Sequence, residues 1–257
     1  MRICVLASGS KGNVSFIETA KHKILLDMGT NLRYISSHLE VLGVSLSDID
    51  TIIISHIHTD HIGALENYIK KYQGKVYMTL GMIQELSEDN PIKNYENLVL
   101  FDDDIYLDDI RVNVIKTSHD TKDSRGYVIN EGLNSVVYLT DTGYLNQKYF
   151  NILRNRTVYL FESNHDVEML INGKYPAWLK DRVVGPYGHL SNKDASIYLA
   201  KLVGSETRKI ILTHLSHENN TEELALATIK DIFNEYGVEF SNISCARQTE
   251  ASEVIEI

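Results

Sequence analysis

The stretch IIISHIHTDHIGA, residues 52–64, runs from an apolar segment straight into three histidines and an aspartate. Within six residues, His56, His58, Asp60 and His61 supply four side chains of the kind that bind metal. A short β-branched run bounded by polar residues reads as a buried strand, here TIIIS over 51–55. Two histidines two apart, just beyond such a strand, can aim both imidazoles at one ion, while Asp60 and His61 can point at a second position. Imidazole nitrogen and carboxylate oxygen together suit Zn²⁺, Mn²⁺ or Fe²⁺.

Other strands end in residues of the same type. Asp27 closes HKILLD, His119 follows VNVIKTS, Asp141 follows SVVYLT, and His214 follows KIILT. Loops at strand ends commonly carry function, and four further metal-type residues in such places imply one shared site. Between them the chain reads as strands 2–7, 14–19, 22–27 and 51–55, arranged as a meander with a hairpin, then a helix over 62–72. A second set of strands runs through residue 141, followed by a strand at 157–163, a helix at 192–203, a strand at 209–215 and a helix at 221–237. Strand runs and helices recur in that order roughly twice. This predicts an α/β fold, an αββα sandwich of two packed sheets with helices on the outer faces, forming a single domain over 1–257.

The 257 residues are 43% hydrophobic, enough for a large core, and contain only three prolines. No long apolar span suggests a membrane helix, and the N-terminal apolar run is too short for a signal peptide. Cys4 and Cys245 stand far from each other and from the histidines, which fits a reducing cytoplasm and rules out a zinc site built on cysteines. The net charge of −10 argues against nucleic-acid binding over the whole surface, but the charge is uneven. Residues 88–109 hold eight acids and one base, whereas residues 174–209 hold seven bases and three acids.

H-x-H-x-D-H, followed by isolated His, Asp and His after strands, resembles the metallo-β-lactamase-fold hydrolases, over nearly the whole chain. The resemblance implies one metal at His56, His58 and His119, another at Asp60, His61 and His214, and Asp141 bridging the two. It casts Asp27 as the carboxylate that orients the ligands, and a metal-bridging hydroxide as the nucleophile. Four stretches, VLASGSKGN (5–13), FESNHD (161–166), GHLSN (188–192) and THLSHENN (213–220), are similar to the WalJ/YycJ-like exonuclease branch of that fold. The same layout is similar to ribonuclease Z proteins, which implies that His189 contacts the scissile phosphate or gives a proton to the leaving oxygen. Glu162 is then placed to orient His189, with His165, His217, Ser191 and Asn192 expected near substrate. Ser191 or Asn192 would cap the helix that follows, whose N-terminus favours an anion.

The expectation is therefore a phosphodiesterase with two divalent ions, a 5′-to-3′ exonuclease acting on DNA in preference to RNA. It is expected in the cytoplasm, with catalytic roles for Asp60, His189, Glu162 and Asp27, without a membrane or protein partner. The alternative on the same fold is hydrolysis of a thioester, lactone or β-lactam. Di-iron redox chemistry is disfavoured because His58 stands where those proteins carry an acid.

Overall fold

Strand β1 (Arg2–Ala7) pairs antiparallel with β2 (Val14–Glu18), which pairs antiparallel with β3 (Lys23–Leu26). The computed structural model describes all 257 residues. After β3 the chain departs from the expected meander. Helix α1 (Leu32–Val41) carries it back across the sheet, so that β4 (Thr51–Ile53) lies parallel to β3. A parallel neighbour needs a crossover of this length, usually helical. Asn31 caps α1 by accepting the Tyr34 N–H at 2.9 Å.

Beyond β4 the ligand-rich loop leads into two short helices, α2 (Thr59–Ile62) and α3 (Leu65–Ile69), where the spacing predicts one continuous helix. Strand β5 (Lys75–Met78), helix α4 (Leu80–Glu85) and strands β6 (Leu98–Leu100) and β7 (Ile105–Leu107) follow. The acidic run of residues 88–109 covers this β6–β7 stretch.

Two compact units are distinguishable. The first comprises residues 1–109, 121–125 and 247–257; the second comprises 110–120 and 126–246. The second unit holds β8 (Ile110–Lys116), β9 (Arg125–Glu131), β10 (Asn134–Leu139), α5 (Phe150–Leu153), β11 (Val158–Glu162), α6 (Val167–Asn172), α7 (Ala177–Val184), α8 (Asn192–Leu202), β12 (Lys209–Thr213), α9 (Glu222–Tyr236) and β13 (Ile243–Cys245). Its strands lie in the order β13-β12-β11-β10-β9-β8, with β10 through β13 parallel to one another and β9 antiparallel to β10. The last strand, β14 (Ile255–Glu256), returns to the first unit and completes a seven-stranded sheet ordered β14-β1-β2-β3-β4-β5-β6.

Each unit has its own apolar core, built on the period of two along a strand. In the first, Cys4, Leu6, Phe16, Leu25, Ile52 and Val76 pack with Ile35 and Leu39 of α1 and with Leu65 and Tyr68 of α3. The alternate residues Ile3, Val5, Ile17 and Ile24 are buried as well. This is why these strands read as nearly continuous hydrophobic runs. In the second, Val137, Leu139, Tyr159, Phe161, Ile210 and Leu212 pack with Leu199 of α8 and with Ile229 and Phe233 of α9. Helix α9 begins and ends as its sequence predicts, with Thr221 accepting the Leu224 N–H and Gly237 in the left-handed region at φ 67°. No helix is long and apolar enough to cross a membrane.

Candidate metal centre and active site

The first unit gathers His56, His58, Asp60 and His61 at the C-terminal end of β4. His56 and His61 are buried, and Nε2 of His56 lies 3.2 Å from Nδ1 of His58. Buried imidazoles and carboxylates beside an apolar core need polar partners, and neighbouring loops supply them. Asp27 is fully buried just past β3 and accepts three hydrogen bonds at 2.7 Å: from the Ser55 N–H, the Ser55 hydroxyl and Nδ1 of His61. With Nδ1 of His61 donating to Asp27, its Nε2 is the lone-pair atom turned towards Asp60, 3.6 Å from Oδ2. Fixing the tautomer of a ligand histidine in this way is the usual task of an orienting carboxylate.

Asn13 also belongs to this half of the site. Its Nδ2 donates to Nε2 of His61 at 3.0 Å and to Asp60 Oδ2 at 3.3 Å, while its backbone N–H donates to the Asp60 carbonyl at 2.8 Å. The sequence shows SGSKGN as a Gly/Ser turn without the features of a phosphate loop, and nothing in that stretch marks Asn13 as a neighbour of the histidine cluster. Gly29 makes the approach possible. A Cβ there would lie 1.5 Å from the Asp60 carbonyl oxygen, so only glycine fits.

The second unit brings together His119, Asp141, Glu162, His189 and His214. Asp141, Glu162, His189 and His214 each offer an atom within 4.8 Å of the others. Asp141 Oδ1 lies 3.4 Å from Nδ1 of both His189 and His214, and 3.8 Å from Nε2 of His119. Nδ1 of His119 donates to the Gly188 carbonyl at 3.2 Å, which makes Nε2 the atom that could bind an ion. Asn164 Nδ2 donates to the His214 carbonyl at 2.9 Å. Burial lowers the pKa of His119, which keeps it in the neutral form that binds metal.

Asp27, Asp141 and His214 share a backbone feature. Each stands just past a strand with φ between 51° and 59°, a conformation costly for most side chains but tolerated by Asp and His.

Glu162, at the end of β11, is fully buried. Its Oε1 accepts from Nδ1 of His189 at 2.7 Å, and its Oε2 accepts the Thr142 N–H at 2.9 Å. Burial raises its pKa, but the charge and hydrogen bond of His189, together with a bond from His214, outweigh it and hold the group at about 2. Glu162 is thus an anion at neutral pH.

Ser191 caps α8, accepting the Asp194 N–H at 3.0 Å. Asn192 is buried, exchanging hydrogen bonds with Ser163 and Asn220. His165 is buried beside Ser191, with its Nδ1 unpartnered, and burial lowers its pKa to about 4. The His217 side chain is 72% exposed, 3.5 Å from Glu218.

A family profile described as "Beta-lactamase superfamily domain" matches residues 22–215. The chain belongs to the beta-lactamase superfamily. It is 32% identical over 240 residues to "Exodeoxyribonuclease YycJ" of Bacillus anthracis, covering 92% of this chain and 90% of that protein. It is 35% identical over 229 residues to "Exodeoxyribonuclease WalJ" of Streptococcus pneumoniae, covering 88% and 85%. The crystal structure of the metallo-beta-lactamase fold protein YhfI from Bacillus subtilis superposes with a TM-score of 0.67 at 16% identity, covering 98% of this chain and 99% of that one. The superfamily fold is the α/β sandwich expected from the alternation of strand runs and helices. This member of the superfamily is a metal-dependent hydrolase.

Proposed function

We propose that the chain is a phosphodiesterase with two divalent ions, a 5′-to-3′ exonuclease on DNA. Support comes from the donor sets: each unit presents several imidazoles and a carboxylate, with tautomers set by Asp27 in one and by the Gly188 carbonyl in the other. Nitrogen and oxygen donors of this kind fit Zn²⁺, Mn²⁺ or Fe²⁺. His56, His58 and His119 would hold one ion and Asp60, His61 and His214 the other, with Asp141 shared, in a single domain of the superfamily fold. Such ions, when bound, lower the pKa of water and neutralise charge on a phosphate.

The chain's own residues supply the rest. His189 is 19% exposed at its side chain, so its Nε2 side is accessible while Nδ1 is tied to Glu162. Glu162 holds the His189 ring through Nδ1, and His189 gives the Nε2 proton to the departing oxygen. Ser191 and Asn192 fix the start of α8 just behind His189, and its N-terminal amides favour a phosphate. His165 holds this turn through its carbonyl, which accepts the Asn192 N–H at 2.8 Å, and exposed His217 meets the outer part of the substrate.

The Glu162–His189 pair carries this reading, because a leaving oxygen of high pKa needs a proton. DNA as substrate is supported by the names of the two relatives, and the polarity by resemblance to their branch. Action in the cytoplasm is part of the same proposal. The test is digestion of 5′-labelled single- and double-stranded DNA and RNA by purified protein, with Mn²⁺ and Zn²⁺ compared. Release of labelled mononucleotide from DNA first is the expected result; inertness towards every phosphodiester overturns the proposal.

A further inference from the structure

Four large aromatic side chains stand exposed in the second unit: Tyr144 at 46%, Trp178 at 67%, Tyr187 at 63% and, at the end of α9, Tyr236 at 47%. None packs into the apolar core of that unit. Tyr187 occupies a turn held from both sides. The carbonyl of Pro186 accepts from the Ser118 hydroxyl at 2.7 Å, and the carbonyl of Gly188 accepts from Nδ1 of His119 at 3.2 Å. The turn closes with the His189 N–H donating to the Val183 carbonyl at 2.9 Å. Tyr187 is therefore displayed, two residues before His189, on backbone anchored to the His119 loop.

Tyr144 belongs to the same place. Gly143 approaches Pro186 so closely that a Cβ on it would lie 2.4 Å from the proline carbonyl carbon. Tyr144 and Tyr187 are each next in sequence to that backbone contact. Trp178 lies on α7, on the same face as Arg182 four residues later. Arg182 is ion-paired with Asp120, the residue after His119, so this face is tied to the same loop. Residues 174–193 contribute Lys174, Lys180, Arg182 and Lys193 against a single acid, Asp181, in a chain of net charge −10.

Single exposed apolar residues need no explanation. Exposed aromatic rings among bases, on backbone pinned beside a catalytic histidine, match the chemistry of a single nucleic-acid strand: phosphates neutralised by cations and base faces stacked on rings. Resting on the nuclease reading above, we propose that Tyr144, Tyr187 and Trp178 form a stacking platform for unpaired bases at the end of a DNA strand, which seats its terminal phosphodiester at His189. Paired bases within a duplex have their faces covered, so the platform selects single-stranded or frayed ends.

Trp178 is the chain's only tryptophan, so its emission reports directly on stacking. The probe is a phosphorothioate-linked oligothymidylate that resists cleavage, compared with an abasic strand of equal length and charge, each added to metal-loaded protein. The proposal expects saturable quenching by the thymidylate and little by the abasic strand. By anisotropy of a labelled strand, Trp178→Ala and Tyr187→Ala should each weaken binding about tenfold, and Trp178→Phe and Tyr187→Phe should restore most of it. Equal binding of the two strands, binding without quenching, or Phe variants as weak as the Ala variants overturns the platform. Hydrolysis is assayed separately on unmodified strands. Base-dependent binding without hydrolysis counts against the nuclease reading alone, while hydrolysis without base-dependent binding counts against the platform alone.

Discussion

Nδ1 of His189 lies 2.7 Å from Oε1 of Glu162, and that carboxylate is shut off from solvent. A carboxylate in this position fixes the imidazole ring, which is 19% exposed at its side chain. In the proposed function, some residues of the site hold ions and this pair manages a proton.

His189→Ala should therefore slow hydrolysis of diesters with poor leaving groups, such as DNA, by about 100-fold or more, and p-nitrophenyl diesters much less. Glu162→Gln should show the same pattern at smaller size. Steady-state kinetics on the two substrate types make the comparison, and equal losses on both would remove the proton-donor role.

Asp27→Asn should leave His61 in place but weaken its orientation. The expected effect is a loss of about 10- to 100-fold in metal affinity, read by competition with a chelating dye. Unchanged affinity would mean that Asp27 serves only the fold.

Gly29→Ala should damage the fold itself. With its Cβ 1.5 Å from the Asp60 carbonyl, the loops carrying Asn13, Asp27 and Asp60 must separate. A destabilisation of about 3 kcal/mol or more is expected, measured by urea unfolding. A variant as stable as the parent would contradict the close approach.

His165 carries a pH signature. Its folded pKa, about 4, is below the ordinary histidine value of 6.5, because burial penalises the charged form. Between those values the unfolded chain binds more protons than the folded one, so stability rises with pH. The contribution is complete above about pH 6.5 and is lost as pH falls towards 4. Urea titrations of metal-free protein across this window should give a shallower pH slope for His165→Gln than for the parent.

Much of the site is legible in the sequence because metal ligation restricts residue types: His56, His58, Asp60 and His61 announce themselves, and His119, Asp141 and His214 stand at the ends of obvious apolar strands. What makes those positions work is less visible. The left-handed backbone at Asp27, Asp141 and His214 leaves no signature in residues that are themselves metal-type. Asn13 sits in a Gly/Ser turn that carries no label for its contact with Asp60 and His61, 47 and 48 residues away. Helix α1 lies outside the elements expected from the sequence, although Leu32, Ile35 and Leu39 recur at helical spacing and Ile35 and Leu39 are buried. Without it, β4 looked like one more strand of a meander. The single helix expected at 62–72 divides at Gly63 and Ala64, where the chain turns from the ligand loop towards Leu65.

The most direct test is the metal content of purified protein equilibrated with Mn²⁺ or Zn²⁺, measured by elemental analysis beside hydrolysis of a phosphodiester. The account predicts about two ions per chain. Asp60→Ala and His61→Ala should each retain about one, fold normally by circular dichroism and lose hydrolysis. Full activity in either variant, or full activity of the parent with a single ion bound, would contradict it.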